Sequence, residues 1–347
     1  MTRDNYWQGV RGLCIICVVL IHCSNGLSFY NQPGLAWNYY FWIIERQIIN
    51  FPVAVFIFLS GYFIPVDKLS ANPKEYLSCR MKKLLPSYLI WTSIYTAITF
   101  VHFLKQHQLL PIKTIIEYYC LGQAQVPLYF IVVLIQLTLL TPLLIRCVQS
   151  KHLHKLMFAI TPLYLLFVYY YQLRYNTLLA SSQTFFPAWF GFYYIGLTVR
   201  IKGLPKLQRQ NSFIYSLAFL LFALGLSLLE SYILLQHGIS ALFVISQIKF
   251  SSYLYVLALL NFLFAIKPNK TIFTSKLLIN IGNNSFGIFY VHMLILVQIV
   301  NKLPIMNEIL PLTQLFKVVL IIFLSILTIK IVKKIIGKDT SKICFGF

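Results

Sequence analysis

Charged residues are scarce in this chain, and their scarcity excludes a soluble globular domain. They make up 11% of the 347 residues, whereas hydrophobic residues make up 59%. A typical soluble domain contains about 25% charged residues, which coat its surface. This chain lacks the polar surface to cover a globule, so its long apolar runs indicate a polytopic membrane protein.

Acidic residues and nucleotide-binding motifs are also lacking. The eight Asp and Glu residues are too few to favour a proton- or sodium-coupled carrier built on buried carboxylates. The sequence has no Gly-x-x-x-x-Gly-Lys-Ser/Thr phosphate loop and no His-Glu-x-x-His, so it predicts neither an ATPase site nor a metal site. The seven cysteines are scattered or lie in apolar spans, and we expect no disulfide framework.

Ten apolar runs are long enough to cross ~30 Å of hydrocarbon. We place them at about 7–27, 38–64, 80–104, 127–147, 155–173, 184–201, 212–230, 241–266, 278–300 and 312–335. No remaining segment is long enough for a soluble domain. The sequence therefore predicts an all-α bundle of about ten transmembrane helices, with residues 1–347 forming a single integral-membrane domain without an appended soluble domain.

The net charge of +21 is explained by membrane orientation rather than by nucleic-acid binding, because the basic residues form short clusters between the spans. With the N-terminus inside, 22 of the 29 Lys and Arg residues fall on the cytoplasmic side and 7 on the other. This asymmetry follows the positive-inside rule. We predict that both termini are cytoplasmic.

Arg11 and His22 lie in the first span, eleven positions apart. Eleven steps of about 100° bring the two side chains to one helix face, roughly 16 Å apart along the axis. Taken alone, Arg11 fits an interfacial anchor and His22 a polar contact between helices. Ionisable groups inside a membrane usually mark a pathway or a reaction centre, and the shared face favours one site. We expect both residues to open onto a shared cavity.

Two further segments have features that suit either packing or binding. Ser60-Gly61 ends the second span, where a small pair permits close backbone approach and favours ordinary helix packing. Arg80, Lys82 and Lys83 begin the third span. They suit either positive-inside anchoring or a clamp for an anionic cytosolic ligand such as a nucleotide-bearing cofactor.

Polar and aromatic residues in later spans complete the candidates. Tyr129 opens the fourth span, and the ninth contains Tyr290 and His292. We expect His292 at a depth close to that of His22, as a structural polar contact or as part of the same site. Adjacent Glu45 and Arg46 favour a self-neutralising interfacial pair.

In this order the segments resemble the membrane-bound acyltransferase family 3, which includes bacterial O-acetyltransferases of O-antigen, peptidoglycan and exopolysaccharide. The most specific match is Arg11-x10-His22. The other matching segments are 55–62, 80–88, 129–131 with Pro142, and 286–292. Lys83 stands where the family typically has Arg, and Tyr129 where it usually has Trp.

The resemblance implies acyl transfer from cytoplasmic acyl-CoA, most simply acetyl-CoA, to a hydroxyl of a cell-surface or lipid-linked glycan. His22 would act as general base or carry the acyl group, and Arg11, Arg80, Lys82 and Lys83 would hold the donor. Ser60 and Gly61 would lie at the donor site, and Tyr129, Tyr290 and His292 near the reaction pocket, with His292 or Tyr290 as oxyanion donor.

The same resemblance implies a location in the bacterial cytoplasmic membrane, where lipids surround the bundle. We expect no nucleic-acid partner and no permanently bound cofactor. The alternative function is a polysaccharide or glycolipid transporter or flippase, which would need no CoA.

Overall fold

The computed structural model describes residues 4–24, 36–204, 212–267, 273–303 and 311–347. The regular structure in these ranges consists of α-helices and short 3-10 turns, without strands. The helices, numbered in chain order, are α1 Asn5–Cys23, α2 Ala36–Ile49, α3 Pro52–Tyr62, α4 Val66–Ala71, α5 Pro73–Lys105, α6 Ile112–Leu121, α7 Tyr129–Gln149, α8 Lys151–Met157, α9 Ile160–Tyr175, α10 Pro187–Lys202, α11 Ser212–Gln236, α12 Ala241–Val244, α13 Phe250–Ile266, α14 Lys276–Asn283, α15 Ser285–Gln298, α16 Pro311–Ile336 and α17 Lys338–Cys344.

Eight helical segments within the described ranges are long and apolar enough to cross a membrane. They are Asn5–Cys23, Tyr39–Tyr62, Pro73–Lys105, Val126–Gln149, Lys151–Tyr175, Phe213–Gln236, Ser285–Lys302 and Leu312–Ile336. Each coincides with a predicted span. The prediction of a polytopic all-α membrane bundle is confirmed.

The sixth and eighth predicted spans correspond to shorter helices. α10 has 16 residues and α13 has 17, or about 24–26 Å at ~1.5 Å per residue. Residues 245–249 leave the helical conformation before α13. This polar stretch shortens the span that the sequence places at 241–266.

Two spans are interrupted, and one starts earlier than predicted. Residues 50 and 51 separate α2 from α3, which begins at Pro52, because proline has no N–H to continue a helical ladder. A second interruption separates α14 from α15 at Asn284. α5 begins at Pro73 rather than near residue 80, because the Asn72 side chain caps it by accepting a hydrogen bond from the Glu75 N–H at 3.1 Å.

Glycines allow α1 to lie against α14 at backbone contact. A Cβ on Gly12 would lie 2.2 Å from the carbonyl oxygen of Leu278, and one on Gly282 would lie 1.8 Å from that of Gln8. These distances leave no room for a side chain, so the contact depends on glycine at both positions. It fixes the helix that carries Arg11 and His22.

We predict that Gly12→Ala destabilises the bundle by about 1–3 kcal/mol, the usual cost of overpacking. The matched control is Gly225→Ala in the middle of α11, where an added Cβ meets nothing within 4 Å. Thermal melting in detergent should show a lower Tm for Gly12→Ala than for the wild type. The control should melt without any lowering of Tm. Equal Tm values for both variants and the wild type would contradict the close packing.

Candidate active site

His22 lies at the last turn of α1 and faces an open pocket of about 600 Å³, measured with its mouth. The pocket is formed where α1, α2, α3, α7 and α15 meet the segments before α7, α10 and α13. Its lining is mostly apolar with a few polar groups, as in typical ligand sites. The lining residues are Val18, Ile21, His22, Arg46, Val53, Phe56, Val126, Pro127, Tyr129, Phe130, Gln183, Gln247 and Phe289.

His292 of α15 packs against His22, with 5.4 Å between the ring centroids. Its side chain is 0% exposed, and its Nδ1 lies 3.0 Å from the carbonyl oxygen of Ile288. A carbonyl oxygen only accepts, so Nδ1 carries the proton. In the neutral ring Nε2 is then a bare acceptor, and it has no hydrogen-bond partner in the described part of the chain. This state is unsuited to donating to an oxyanion.

Arg46 of α2 lines the same pocket, which the sequence interpretation missed. Its Nη1 donates to the carbonyl oxygen of Ile21 at 3.4 Å. Glu45 instead accepts from Gln314 Nε2 at 3.1 Å, so the expected Glu45–Arg46 pair is not a direct salt bridge, although the two charges still interact. Consecutive helical residues point about 100° apart, and that rule could have separated the two charges in advance.

Of the two tyrosines predicted near the pocket, only Tyr129 lines it. The Tyr129 ring stacks on Trp189 with centroids 6.2 Å apart. Tyr290 is 1% exposed and is not a lining residue. Its hydroxyl lies 3.2 Å from that of Ser87, and its ring stacks on Trp91.

Arg11 lies further towards the start of α1, where its guanidinium stands 5.5 Å from the centroid of the Phe63 ring. It does not line the His22 pocket. Ile15, which lies between the two on the same face, is 0% exposed. The expectation that Arg11 and His22 open onto a shared cavity is therefore wrong for this structure, although the face they share is directed into the bundle.

The basic cluster on α5 is accessible. Arg80 is half-buried with its guanidinium 5.6 Å from the centroid of the Tyr76 ring, and Lys82 and Lys83 are exposed. Positions 80 and 83 are neighbours on one helix face because they are three residues apart. The arrangement can present two positive charges to one anionic group.

Ser60 and Gly61 lie in a helix contact rather than at an open surface. Ser60 Oγ donates to the carbonyl oxygen of Phe56 in its own helix at 2.8 Å. A Cβ on Gly61 would lie 2.3 Å from the carbonyl oxygen of Tyr193 in α10. These contacts give the pair a packing role, and donor contact at these residues stays a prediction.

No group of three or more His, Cys, Asp and Glu side chains among the described residues is arranged to hold a metal ion.

Comparison with known proteins connects this geometry to a family. No curated protein and no solved structure matches the chain. A family model described as an acyltransferase domain matches residues 4–330 of the 347. The match includes every residue of the pocket and of the basic cluster on α5, and nearly the whole chain. The protein belongs to acyltransferase family 3 and is a multi-pass membrane acyltransferase.

Proposed function

We propose that the protein transfers an acyl group, acetyl in the simplest case, from cytoplasmic acyl-CoA to a hydroxyl of a cell-surface or lipid-linked glycan. The observation that carries this proposal is His22, a titratable ring that faces an open, mostly apolar pocket inside the bundle. A histidine there is suited to removing a proton from an arriving hydroxyl.

The proposed orientation puts the start of α1 and the basic cluster on α5 at the cytoplasmic face of a bacterial inner membrane. It rests on the 22:7 division of the 29 basic residues. In this orientation His22 lies towards the outer face, and the polysaccharide acceptor reaches the pocket from there. Both termini are then cytoplasmic.

Positively charged side chains hold the acyl-CoA donor at the cytoplasmic end of the bundle. The phosphates of acyl-CoA bind Arg80, Lys82 and Lys83, and Arg11 lies along the path from there to His22. Ser60 and Gly61 keep α3 against α10 beside this path. Because buried Ile15 separates Arg11 from the pocket, side chains between them must move to admit the acyl arm.

In the reaction, a ring nitrogen of His22 takes the proton of the acceptor hydroxyl while the oxygen attacks the thioester carbonyl. The tetrahedral intermediate collapses, the C–S bond breaks, and the protonated His22 returns the proton to the CoA thiolate. The products are the O-acyl glycan and CoA. The bare Nε2 of His292 is suited to accept the N–H of His22 and to fix its tautomer.

We predict that His22→Ala lowers kcat by about 10²–10⁴-fold, the usual contribution of a general base. The assay uses protein in proteoliposomes with labelled acetyl-CoA and lipid-linked glycan. His237→Ala is the control, because His237 is exposed in the turn after α11 and should keep full activity. Full acetylation by His22→Ala would contradict the mechanism.

A second prediction concerns the donor end. Lys83→Ala should raise KM for acetyl-CoA several-fold with a smaller change in kcat, whereas Lys83→Arg should lower KM because its fork binds phosphate in a bidentate manner. The matched control is Lys334→Ala, which also removes one positive charge but from an exposed lysine near the end of α16. If KM is the same in all three variants and the wild type, the donor does not bind at this cluster.

The same proteoliposomes test the alternative of a glycan transporter or flippase. Movement of the glycolipid across the bilayer without acetyl-CoA, and without any labelled product, would favour transport. Labelled product that requires acetyl-CoA and His22 supports acyl transfer.

A further inference from the structure

Arg46 is a cation that forms no direct ion pair in the described part of the chain, and the one carboxylate known to act on it, Glu45, is hydrogen-bonded to Gln314 instead. None of the ion pairs found there includes it, and its Nε is buried without a hydrogen-bond partner. Its recorded hydrogen bond is the 3.4 Å contact with the carbonyl oxygen of Ile21. An arginine inside a membrane bundle is costly unless it is paired, so this guanidinium indicates a negatively charged ligand group.

The other polar groups of the pocket match a hydroxylated ligand. Gln247 Oε1 is buried and has no hydrogen-bond partner among the described residues. As a carbonyl oxygen it needs a donor such as a hydroxyl. Tyr129 and Gln183 add polar groups to the lining, and none of the described residues that line the pocket is acidic. The pocket therefore combines one positive charge with groups suited to sugar hydroxyls.

Buried hydrogen bonds hold these groups in place. Lys249 is 0% exposed, and its Nζ donates to Gln47 Oε1 at 3.0 Å and to Ser231 Oγ at 2.8 Å. Asn50 Nδ2 donates to the carbonyl oxygens of Ile245 and Ser246. These bonds fix the end of α2, which carries Arg46, to the segment that carries Gln247. Buried hydrogen bonds of this kind rigidify the region around them.

From this arrangement we infer that the His22 pocket selects an acceptor sugar bearing an acidic group. A carboxylate or phosphate on the sugar binds the Arg46 guanidinium, and a neighbouring hydroxyl donates to Gln247 Oε1. The inference rests on the proposed function and adds the chemical class of its acceptor. Arg46 is then a residue that determines specificity.

Equilibrium dialysis tests this inference without acyl transfer. The protein is placed in phosphatidylcholine nanodiscs, and the radiolabelled probes are methyl glucoside, methyl glucuronoside and glucose 6-phosphate. We expect at least one acidic probe to bind about 10–100-fold more tightly than methyl glucoside, as for a hydrogen bond to a charged group. Whichever acidic probe binds shows whether the charge belongs to a carboxylate or a phosphate.

Variants test whether the preference for acidic probes depends on Arg46. Arg46→Gln should reduce the difference in affinity between the acidic and neutral probes to about twofold or less. Arg46→Lys should retain part of the preference, because lysine keeps the positive charge but cannot bind an anion in a bidentate manner. Glu45→Gln is the control, since Glu45 is next to Arg46 in sequence but contacts Gln314 and does not line the pocket. Its preference for the acidic probe should be at least that of the wild type, because the change removes a negative charge and leaves Arg46 in place.

Three results would overturn the inference. They are equal binding of all three probes by the wild type, an acid preference that persists in Arg46→Gln, and a kcat loss in Arg46→Gln that is equal for acidic and neutral acceptors at unchanged affinity. The last result would make Arg46 a transition-state contact. Arg46-dependent binding of an acidic probe without any acyl transfer would support the subsite and contradict the proposed reaction.

Discussion

The pairing of polar groups inside an apolar bundle is the constraint on which this structure depends. A buried polar or ionised group is costly unless it finds a partner, and Lys249 meets that requirement through Gln47 and Ser231. Several buried side-chain atoms in the described ranges do not meet it, among them Arg46 Nε, Gln247 Oε1 and His292 Nε2. All three lie at or against the His22 pocket. In the proposed function, Arg46 and Gln247 bind the acceptor, whereas His292 Nε2 accepts the N–H of His22.

Close packing around α1 gives the site its geometry. Gly12 and Gly282 bring α1 and α14 to backbone contact, and α15 follows α14 directly. This connection presents the His292 ring to His22 at 5.4 Å between centroids. A rigid first helix also keeps Arg11 at a fixed distance from His22, about three turns along the axis. The proposed division between donor binding and proton transfer depends on that separation.

Sequence reasoning predicted the bundle and two of the residues that line the pocket, His22 and Tyr129, because long apolar runs and helical periodicity are local signals. The length of each run identified the spans, and the eleven-residue spacing placed Arg11 and His22 on one inward-directed face. Arg46 and Gln247 could not be found in this way. Their convergence depends on how α2 meets the segment before α13, a contact between residues about 200 positions apart. The prediction that Arg11 and His22 share a cavity was wrong for a similar reason, because neighbouring helices determine how Ile15 packs.

The central claim is that donor and acceptor meet at His22. A structure of the protein with a non-hydrolysable acetyl-CoA analogue tests it most directly. We expect nucleotide phosphates at Arg80 and Lys83, with the acyl carbonyl in the His22 pocket and room beside it for a hydroxyl at about 3–3.5 Å. An acyl group held outside that pocket, with Ile15 and Val18 still packed between it and His22, would contradict the account.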